Sequence, residues 1–343
     1  MKAIIIHAAH DLRVEAHEAG DPGPGQVRVR IRNGGICGSD LHYYLHGGFG
    51  AVRVKHPMVL GHEVAGIVDS IGAGVTHVAP GQAVAVNPSL PCGACRFCQS
   101  GEQQHCLDMR FYGSAMRDPH VDGGFREALV CEAAQAVPLP AGLSVETAAF
   151  AEPLSVCLHA VRQAGPLLGK RVLVTGAGPI GALAVAAARH AGAREIVVTD
   201  LTTAPEKTAL AMGADRFIAV GGAPDALAPF AAQKGFFDVA FEASGSPAAL
   251  GAILPVLRPR GTLIQIGIGG DATIPLSVLA AKEITWRGTF RFHEEFDLAV
   301  EALARRAIDP TPLLTAAFPV ERAREAFDLA ADRSRAMKVQ IVF

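Results

Sequence analysis

The sequence lacks the features that would place the chain in a membrane or on a nucleic acid. None of its apolar runs approaches the length of about 18 residues that a membrane helix needs. Lys and Arg total 31 against 33 Asp and Glu, a net charge of -2, which indicates neither a basic surface for nucleic acid nor an acidic tail. The apolar run Ala3–Ile6 is too short for the apolar segment of a signal peptide. We therefore expect a soluble, cytoplasmic protein.

Repeats and low-complexity segments are also lacking, and the chain instead changes character near residue 150. Before that point, short apolar runs between Gly and Pro residues predict a β-rich domain, with strands at Val27–Ile31, Val59–Val68 and Ala83–Val86. After it, six short apolar strands alternate with helices, which is typical of a doubly wound parallel sheet in an α/β protein. These six predicted strands are Arg171–Thr175, Glu195–Thr199, Arg216–Val220, Asp238–Glu242, Thr262–Gly267 and Ile284–Gly288.

Four of the seven cysteines are clustered in the spacing C-x2-C-x2-C-x7-C, as Cys92, Cys95, Cys98 and Cys106. Four thiolates this close can surround one tetrahedral zinc ion, and an iron–sulfur cluster is the other chemical possibility. A site with four cysteine ligands is closed, so its role would be structural. Seven cysteines without a secretion signal also favour a reducing compartment.

A glycine fingerprint for a dinucleotide follows the first predicted strand of the second half. Gly176, Gly178 and Gly181 form G-x-G-x-x-G, and Asp200 ends the next predicted strand, nineteen positions after Gly181. The glycines allow a tight turn, a close approach of the pyrophosphate and close packing of the following helix. Asp200 can accept the ribose hydroxyls of NAD and would repel a 2′-phosphate. The pattern therefore predicts NAD rather than NADP as the cofactor.

A second and open metal site is suggested by Cys37 and His62, with Glu63 next to His62 and Glu152 further along the chain. Cysteine, histidine and a carboxylate form a ligand set that leaves a fourth position of zinc for substrate. Taken singly, Cys37 and His62 could equally be ordinary core residues.

The strings GGICGSDLHYY, PMVLGHEVAG, PCGACRFCQSGEQQHC, AEPLSV and GAGPIG together resemble the zinc-dependent medium-chain alcohol and polyol dehydrogenases, in the right order along the whole chain. The resemblance implies a GroES-like catalytic domain of residues 1–150 and 290–343, with a structural zinc lobe at 92–106. It implies a Rossmann domain of residues 151–289 with a six-stranded parallel sheet. It also implies two zinc ions per chain and a homodimer or homotetramer.

The same resemblance assigns roles to the residues of the open metal site. Cys37 and His62 match the catalytic zinc ligands. Glu152 stands where plain alcohol dehydrogenases have a cysteine, which is typical of the sorbitol dehydrogenase branch. In that branch Glu63 can bind zinc directly, and Glu152 can contact it through water or exchange with it, so the third ligand stays open. Asp40 matches a carboxylate that would orient a ligand histidine.

Further roles concern the proton and the cofactor. Ser39 and His42 match a relay that carries the alcohol proton to solvent. The remaining residues implied to contact the dinucleotide are Pro179, Ile180, Ile266 and Ile268.

The substrate implied by the strings HYYLHGGFGAVRVKHPMVLGHEVAG and GTFRF is a sugar acid, with a neutral polyol as the alternative. Arg291 matches a substrate-side arginine and could bind the carboxylate, and Arg110 is a second candidate. Tyr43 and Phe111 are predicted to line the same cleft, although plain packing would explain them equally well. The competing hypothesis from another class is a non-catalytic module that binds NAD and zinc.

Overall fold

The structure is a computed structural model that describes residues 1–223 and 225–343. The chain forms two compact units. The first comprises Met1–Glu152, Phe296–Arg306 and Leu314–Phe343, and the second comprises Pro153–Glu295 and Ala307–Leu313.

The strands are numbered along the chain. They are β1 (Lys2–Ala8), β2 (Asp11–Ala16), β3 (Gln26–Gly35), β4 (Gly48–Phe49), β5 (Val52–Arg53), β6 (Met58–Val59), β7 (Glu63–Ile71), β8 (Ala83–Val86), β9 (Ser89–Leu90), β10 (Arg110–Phe111), β11 (Ala128–Glu132), β12 (Ala136–Pro138), β13 (Arg171–Thr175), β14 (Glu195–Asp200), β15 (Arg216–Ala219), β16 (Phe237–Glu242), β17 (Leu257–Gln265), β18 (Thr285–Gly288), β19 (Leu314–Pro319) and β20 (Lys338–Val342).

The α-helices are numbered in the same way. They are α1 (Gly38–His46), α2 (Arg96–Gln99), α3 (Val145–Ala148), α4 (Ala151–Ala164), α5 (Pro179–His190), α6 (Glu206–Ala211), α7 (Pro247–Val256), α8 (Leu276–Ala281), α9 (Glu295–Ala304) and α10 (Ala323–Ala331). None of the helices in the described part of the chain combines the length and apolar character that crossing a membrane requires.

The first unit is built around a seven-stranded sheet in the order β12-β8-β7-β3-β20-β19, with β11 also paired to β3. Strand β3 packs one face against the core. Its buried residues Val27, Val29 and Ile31 alternate with arginines on the other face. The C-terminal strand β20 runs antiparallel to β3, with Gln340 opposite Gly35. This pairing places the first residues of β20 beside the residues that follow β3, with Val339 O accepting a hydrogen bond from Ile36 N.

The prediction of one continuous strand at Val59–Val68 was wrong. The segment forms β6 and β7, separated by a turn in which Gly61 has a φ of 90°. A Cβ on Gly61 would lie 2.2 Å from the ring of Phe125, so the turn depends on glycine for both its backbone angle and its space. The interruption leaves His62 outside the ladder, directly before β7 begins.

The second unit contains the six-stranded sheet that the sequence predicts. Its order is β15-β14-β13-β16-β17-β18, and every neighbouring pair is parallel. In order of appearance this is 3-2-1-4-5-6, the Rossmann arrangement, whose ligand crevice lies where the order reverses, between β13 and β16. The α/β fold class with a doubly wound sheet is confirmed.

Candidate metal centres and dinucleotide site

The four clustered cysteines bring their sulfur atoms together in the structure. All four Sγ atoms lie within 4.8 Å of one another. Cys98 Sγ is 4.0 Å from Cys92 Sγ and 3.6 Å from Cys95 Sγ. Four sulfurs bound at about 2.3 Å to a central zinc ion would be about 3.8 Å apart in a regular tetrahedron. The two measured distances are close to this value, so the arrangement fits one zinc ion.

Backbone amides around this cluster donate hydrogen bonds to its sulfurs. Cys92 N and Asp108 N donate to Cys106 Sγ at 3.2 and 3.3 Å, and Leu107 N donates to Cys95 Sγ at 3.5 Å. The Leu107 amide, followed by the Cys98 amide, lowers the pKa of Cys95 to about 6. Burial and the neighbouring thiols raise the pKa of Cys98 to about 12. A divalent cation at the centre would stabilise all four thiolates together.

The second donor set lies where a helix and a strand begin. Cys37 is the N-cap residue of α1, His62 lies in the turn before β7, and Glu63 is the first residue of β7. One ligand atom from each residue lies within 4.8 Å of the other two. His62 Nδ1 and Glu63 Oε2 are buried without a hydrogen-bond partner among the described residues. Sulfur, imidazole and carboxylate donors of this kind fit a zinc site with three protein ligands and an open fourth position.

The carboxylate of Glu63 is paired with Lys338, a residue to which the sequence analysis gave no role. Lys338 Nζ donates a hydrogen bond to Glu63 Oε1 at 2.7 Å and to Ile36 O at 3.1 Å. It also lies 2.6 Å from Glu63 Oε2, at an angle that makes an ion pair but no hydrogen bond. Both side chains are at most 3% exposed. The pair therefore neutralises the Glu63 carboxylate, whose Oε2 lies beside the ammonium without accepting a hydrogen bond from it.

The Glu63 carboxylate has space beside β3 because residue 35 is a glycine. Strand β3 lies between β7, which carries Glu63, and β20, which carries Lys338. Gly35 is directly opposite Glu63 in the ladder, and a Cβ on Gly35 would lie 2.2 Å from Glu63 Oε2. Any side chain at this position would fill the space that the carboxylate occupies.

The electrostatics of the second donor set call for a cation. Burial, followed by the charge of Glu63, raises the pKa of Cys37 to about 12. Glu152, in the first turn of α4, has its pKa raised to about 8 by burial and by Glu63 and Cys37, against the influence of His62. Burial lowers the pKa of Lys338, but Glu63 and Cys37 outweigh it and keep that pKa raised. A bound divalent ion would favour the deprotonated forms of Cys37 and Glu152.

The predicted relay residues lie on α1. Ser39 and His42 are three positions apart and therefore share a helix face. His42 is exposed, packs against Phe49 and His46, and has its pKa lowered by partial burial and the charges of His46 and Arg333. A proton that reached His42 would have access to solvent.

Asp40 supports the start of α1 rather than hydrogen-bonding to a histidine. Its carboxylate accepts bonds from Cys37 N at 3.0 Å and Gly61 N at 3.1 Å, and its Oδ1 is 3.9 Å from His62 Nδ1. At that distance the contact with His62 is electrostatic. Asp40 thereby ties together the two turns that carry Cys37 and His62.

The dinucleotide fingerprint has the geometry that its glycines require. Gly176 has a φ of 86°, Gly178 is the N-cap of α5, and Pro179 and Ile180 form the first turn of that helix. A Cβ on Gly181 would lie 1.8 Å from Gly176 O, so α5 can approach the turn only because residue 181 is glycine. The open N-terminus of α5 can receive a phosphate group.

Asp200 ends β14 and is already connected to the phosphate turn, since its Oδ2 accepts a bond from Ala177 N at 2.8 Å. Ile266 and Ile268 follow β17 at the same edge of the parallel sheet, and Ile268 is 80% exposed. The predicted cofactor residues thus converge on the carboxyl edge of the sheet, next to its switch point.

The predicted substrate residues occupy different environments. Tyr43 is 2% exposed and its hydroxyl accepts a hydrogen bond from Ala115 N at 3.0 Å, which favours the packing role that the sequence left open. Phe111 is buried with its ring centroid 5.6 Å from that of His62, so it packs against a metal-site residue. Arg110 precedes it on β10 and is exposed. Arg291, in the second unit, has a φ of 52° and a guanidinium 5.0 Å from the ring centre of Phe290.

Comparisons with known proteins agree with this geometry. Residues 23–141 match the family model of the alcohol dehydrogenase GroES-like domain, and residues 179–305 match that of zinc-binding dehydrogenases. The chain is 48% identical over 316 residues to an L-idonate 5-dehydrogenase (NAD(P)(+)) of Escherichia coli strain K12, covering 92% of this chain and 91% of the relative.

Two further similarities extend over almost the whole chain. The sorbitol dehydrogenase of Gallus gallus is 37% identical over 343 residues, which cover 99% of this chain and 95% of that protein. The crystal structure of L-idonate 5-dehydrogenase from Escherichia coli superimposes with a TM-score of 0.94 at 44% identity, covering 100% of this chain and 98% of that one. The chain belongs to the zinc-binding medium-chain alcohol dehydrogenases, and the family that its motifs resemble is confirmed.

Proposed function

We propose that this dehydrogenase interconverts L-idonate and 5-keto-D-gluconate, with NAD as the redox partner. The observation that carries the proposal is the donor set of half-buried Cys37 and buried His62 and Glu63, in a chain 48% identical to an L-idonate 5-dehydrogenase. Similarity at 37% identity to a sorbitol dehydrogenase supports a neutral polyol as the second candidate substrate.

The first unit supplies the residues that hold and polarise the alcohol. Cys37, His62 and Glu63 would hold zinc, with Glu152 as the residue that contacts it through water or exchanges with Glu63. When bound, zinc supplies a Lewis acid that makes the substrate hydroxyl easier to deprotonate. Phe111 packs beside His62 and limits the access of water to that side of the imidazole.

Oxidation of the alcohol removes a proton from its hydroxyl and a hydride from its carbon. We assign to Ser39 the hydrogen bond from the hydroxyl, and His42 shares its helix face and is open to solvent. The hydride acceptor is NAD, oriented by the turn at Gly176 and by Asp200. Asp200 is the residue that favours NAD over NADP, because its carboxylate would face a 2′-phosphate.

The carboxylate of a sugar acid needs a cationic partner, and we assign this role to Arg291. Replacing Arg291 with alanine should raise KM for L-idonate by about tenfold or more, because a bidentate charged contact is lost. KM for sorbitol should change little, since a neutral polyol has no carboxylate. Steady-state kinetics of the variant with both substrates would measure this, with Arg110→Ala measured in parallel because Arg110 is the second candidate for the carboxylate. An equal rise for both substrates would exclude the carboxylate role.

Two metal centres per chain are the second consequence of the proposal. The purified protein should contain about two zinc ions per chain, one at the four cysteines and one at Cys37, His62 and Glu63. Metal analysis by mass spectrometry after extensive dialysis would measure the number. A content of one ion, with the cluster of Cys92, Cys95, Cys98 and Cys106 still reactive toward thiol reagents, would contradict it.

The proposed domain organisation assigns residues 1–150 and 290–343 to the catalytic domain, including the zinc lobe 92–106, and residues 151–289 to the Rossmann domain. We also propose a homodimer or homotetramer in the cytoplasm, where a reducing environment keeps seven cysteines as thiols or metal ligands.

The experiment that tests the function is an initial-rate assay of NAD reduction with L-idonate, D-gluconate, sorbitol and xylitol side by side. L-idonate should give the highest kcat/KM. A preference for sorbitol or xylitol would favour the polyol alternative, and the absence of hydride transfer with all four would favour a non-catalytic module.

A further inference from the structure

The second unit contains a buried carboxylate that has no cationic partner among residues 1–223 and 225–343. Glu242, the last residue of β16, is 0% exposed. Its Oε1 accepts bonds from Ser244 N at 2.8 Å, Gly245 N at 3.1 Å, Thr175 Oγ1 at 3.4 Å and the Ser244 hydroxyl. Its Oε2 accepts bonds from Gln265 Nε2 at 2.6 Å and Gly245 N at 3.0 Å. In each of these bonds the neighbouring group donates, so the position suits a group that accepts at both of its oxygens.

The position of this carboxylate in the fold is the point where a Rossmann sheet binds its ligand. Glu242 is in register with Thr175 on β13 and with Gln265 on β17. The boundary between β13 and β16 is the switch point of the sheet, and a dinucleotide lies across that crevice. One side chain therefore connects the carboxyl ends of three central strands at the cofactor edge.

The turn that Glu242 holds, residues 243–246, packs against the phosphate turn. A Cβ on Gly176 would lie 2.8 Å from Ser244 N. The amides of Ser244 and Gly245 already donate to Glu242, so they are not donors for a phosphate. The turn instead limits the space beside Gly176.

The same turn also packs against the loop that follows β17. A Cβ on Gly269 would lie 2.1 Å from Gly245 O, and one on Gly267 would lie 2.2 Å from Gly245 N and 2.8 Å from Glu242 Oε2. The backbone carbonyl of Glu242 accepts bonds from Ile266 N and Gly267 N, both at 2.8 Å. Glu242 thus fixes the loop that presents Ile266 and the exposed Ile268.

We infer that Glu242 is a positioning residue for the dinucleotide, acting on the nicotinamide side of the crevice through the loop 266–269. The inference rests on the proposed use of NAD. Asp200 and the phosphate turn position the adenosine half through contacts of their own, such as the bond from Ala177 N. Loss of the Glu242 carboxylate should therefore affect the whole dinucleotide far more than its adenosine monophosphate half.

Glu242→Gln is the variant that tests this role. A glutamine has the same shape, but one of its two terminal atoms is a donor and would face Gln265 Nε2 or the amides of Ser244 and Gly245. A hydrogen bond to a charged group contributes enough that the Kd for NADH should rise by roughly tenfold. The Kd for 5′-AMP should stay unchanged, and KM for NAD should rise more than kcat falls. NADH fluorescence titration, competition by 5′-AMP and initial rates measure these quantities.

The control is Glu195→Gln, the same chemical change at the first residue of β14, on the opposite edge of the sheet. It should leave both affinities unchanged. Ser244→Ala is the second variant, in case Glu242→Gln does not fold. It removes one neutral donor, and the Kd for NADH should rise by roughly threefold.

Three outcomes are distinguishable. NADH affinity equal to that of the wild type in both variants would overturn the inference. Equal weakening of NADH and 5′-AMP would overturn it as well, because it would indicate general damage to the unit. Failure of the wild-type protein to bind NADH would instead refute the proposed function on which the inference rests.

Discussion

Replacing Lys338 with methionine is expected to lower the free energy of unfolding of the metal-free protein by about 3–5 kcal/mol, the usual effect of removing one partner of a buried ion pair. The physical reason is the environment of Glu63, whose two oxygens lie 2.6 and 2.7 Å from Lys338 Nζ and which is only 1% exposed. Methionine fills a similar volume without a charge and leaves that carboxylate uncompensated. Urea unfolding of the chelated protein, followed by circular dichroism, would measure the loss.

The double variant Lys338→Met with Glu63→Gln is the matched control, because it removes both charges. It should recover most of the stability lost in the single variant, which a double-mutant cycle expresses as a coupling energy. Zinc should also restore part of the stability of Lys338→Met, since the ion neutralises Glu63. If the single and double variants are equally unstable, the ion pair is not the cause and the lysine acts only through packing.

The second large effect is expected at the open metal site. Cys37→Ala should lower kcat for L-idonate by roughly 10³-fold, because Lewis-acid assistance contributes several kcal/mol to the transition state. The zinc content should fall by about one ion per chain, and NADH should still bind, because the fingerprint at Gly176 belongs to the other unit. Metal analysis, initial rates and NADH fluorescence on one preparation would test all three.

Cys98→Ala provides the comparison for this variant. It removes a ligand of the four-cysteine centre, so it should also lose about one zinc ion, and its main effect should be a lower Tm rather than a lower kcat. The two variants thus lose the same amount of zinc, but Cys37→Ala should lower kcat and Cys98→Ala should lower Tm. A large fall of kcat in Cys98→Ala at a temperature where the protein is folded would contradict the assignment of a purely structural centre.

The fold could be predicted from the sequence because its signals are local. The parallel sheet follows from short apolar strands alternating with helices, and the observed strand β13 has the predicted bounds Arg171–Thr175. The cysteine cluster and the glycine fingerprint are likewise contained within short segments. The one wrong strand, Val59–Val68, shows the limit of periodicity, because an apolar run does not reveal that Gly61 turns the chain.

The candidate site could be predicted only in part, because some of its contacts join distant segments. Lys338 and Glu63 are 275 positions apart, and nothing in either local sequence indicates a pair. Glu242 lies in the segment FEASG, whose local sequence suggests no chemical role. Its partners Thr175 and Gln265 become neighbours only through the register of three strands. The sequence also does not decide whether Glu63 or Glu152 is the third zinc ligand. Both are buried acids, and both interact electrostatically with Cys37.

Strand β3 ends in two glycines, Gly34 and Gly35, so this part of the strand carries no side chains. A Cβ on Gly34 would lie 2.6 Å from the ring of Phe125, and one on Gly35 would lie 2.2 Å from the carboxylate of Glu63. Neither glycine has a positive φ in the described chain, so backbone conformation alone does not demand them. Successive residues of a strand face opposite sides of a sheet. The end of β3 therefore separates two environments with only its backbone between them, the aromatic core around Phe125 on one side and the buried ion pair of Glu63 and Lys338 on the other.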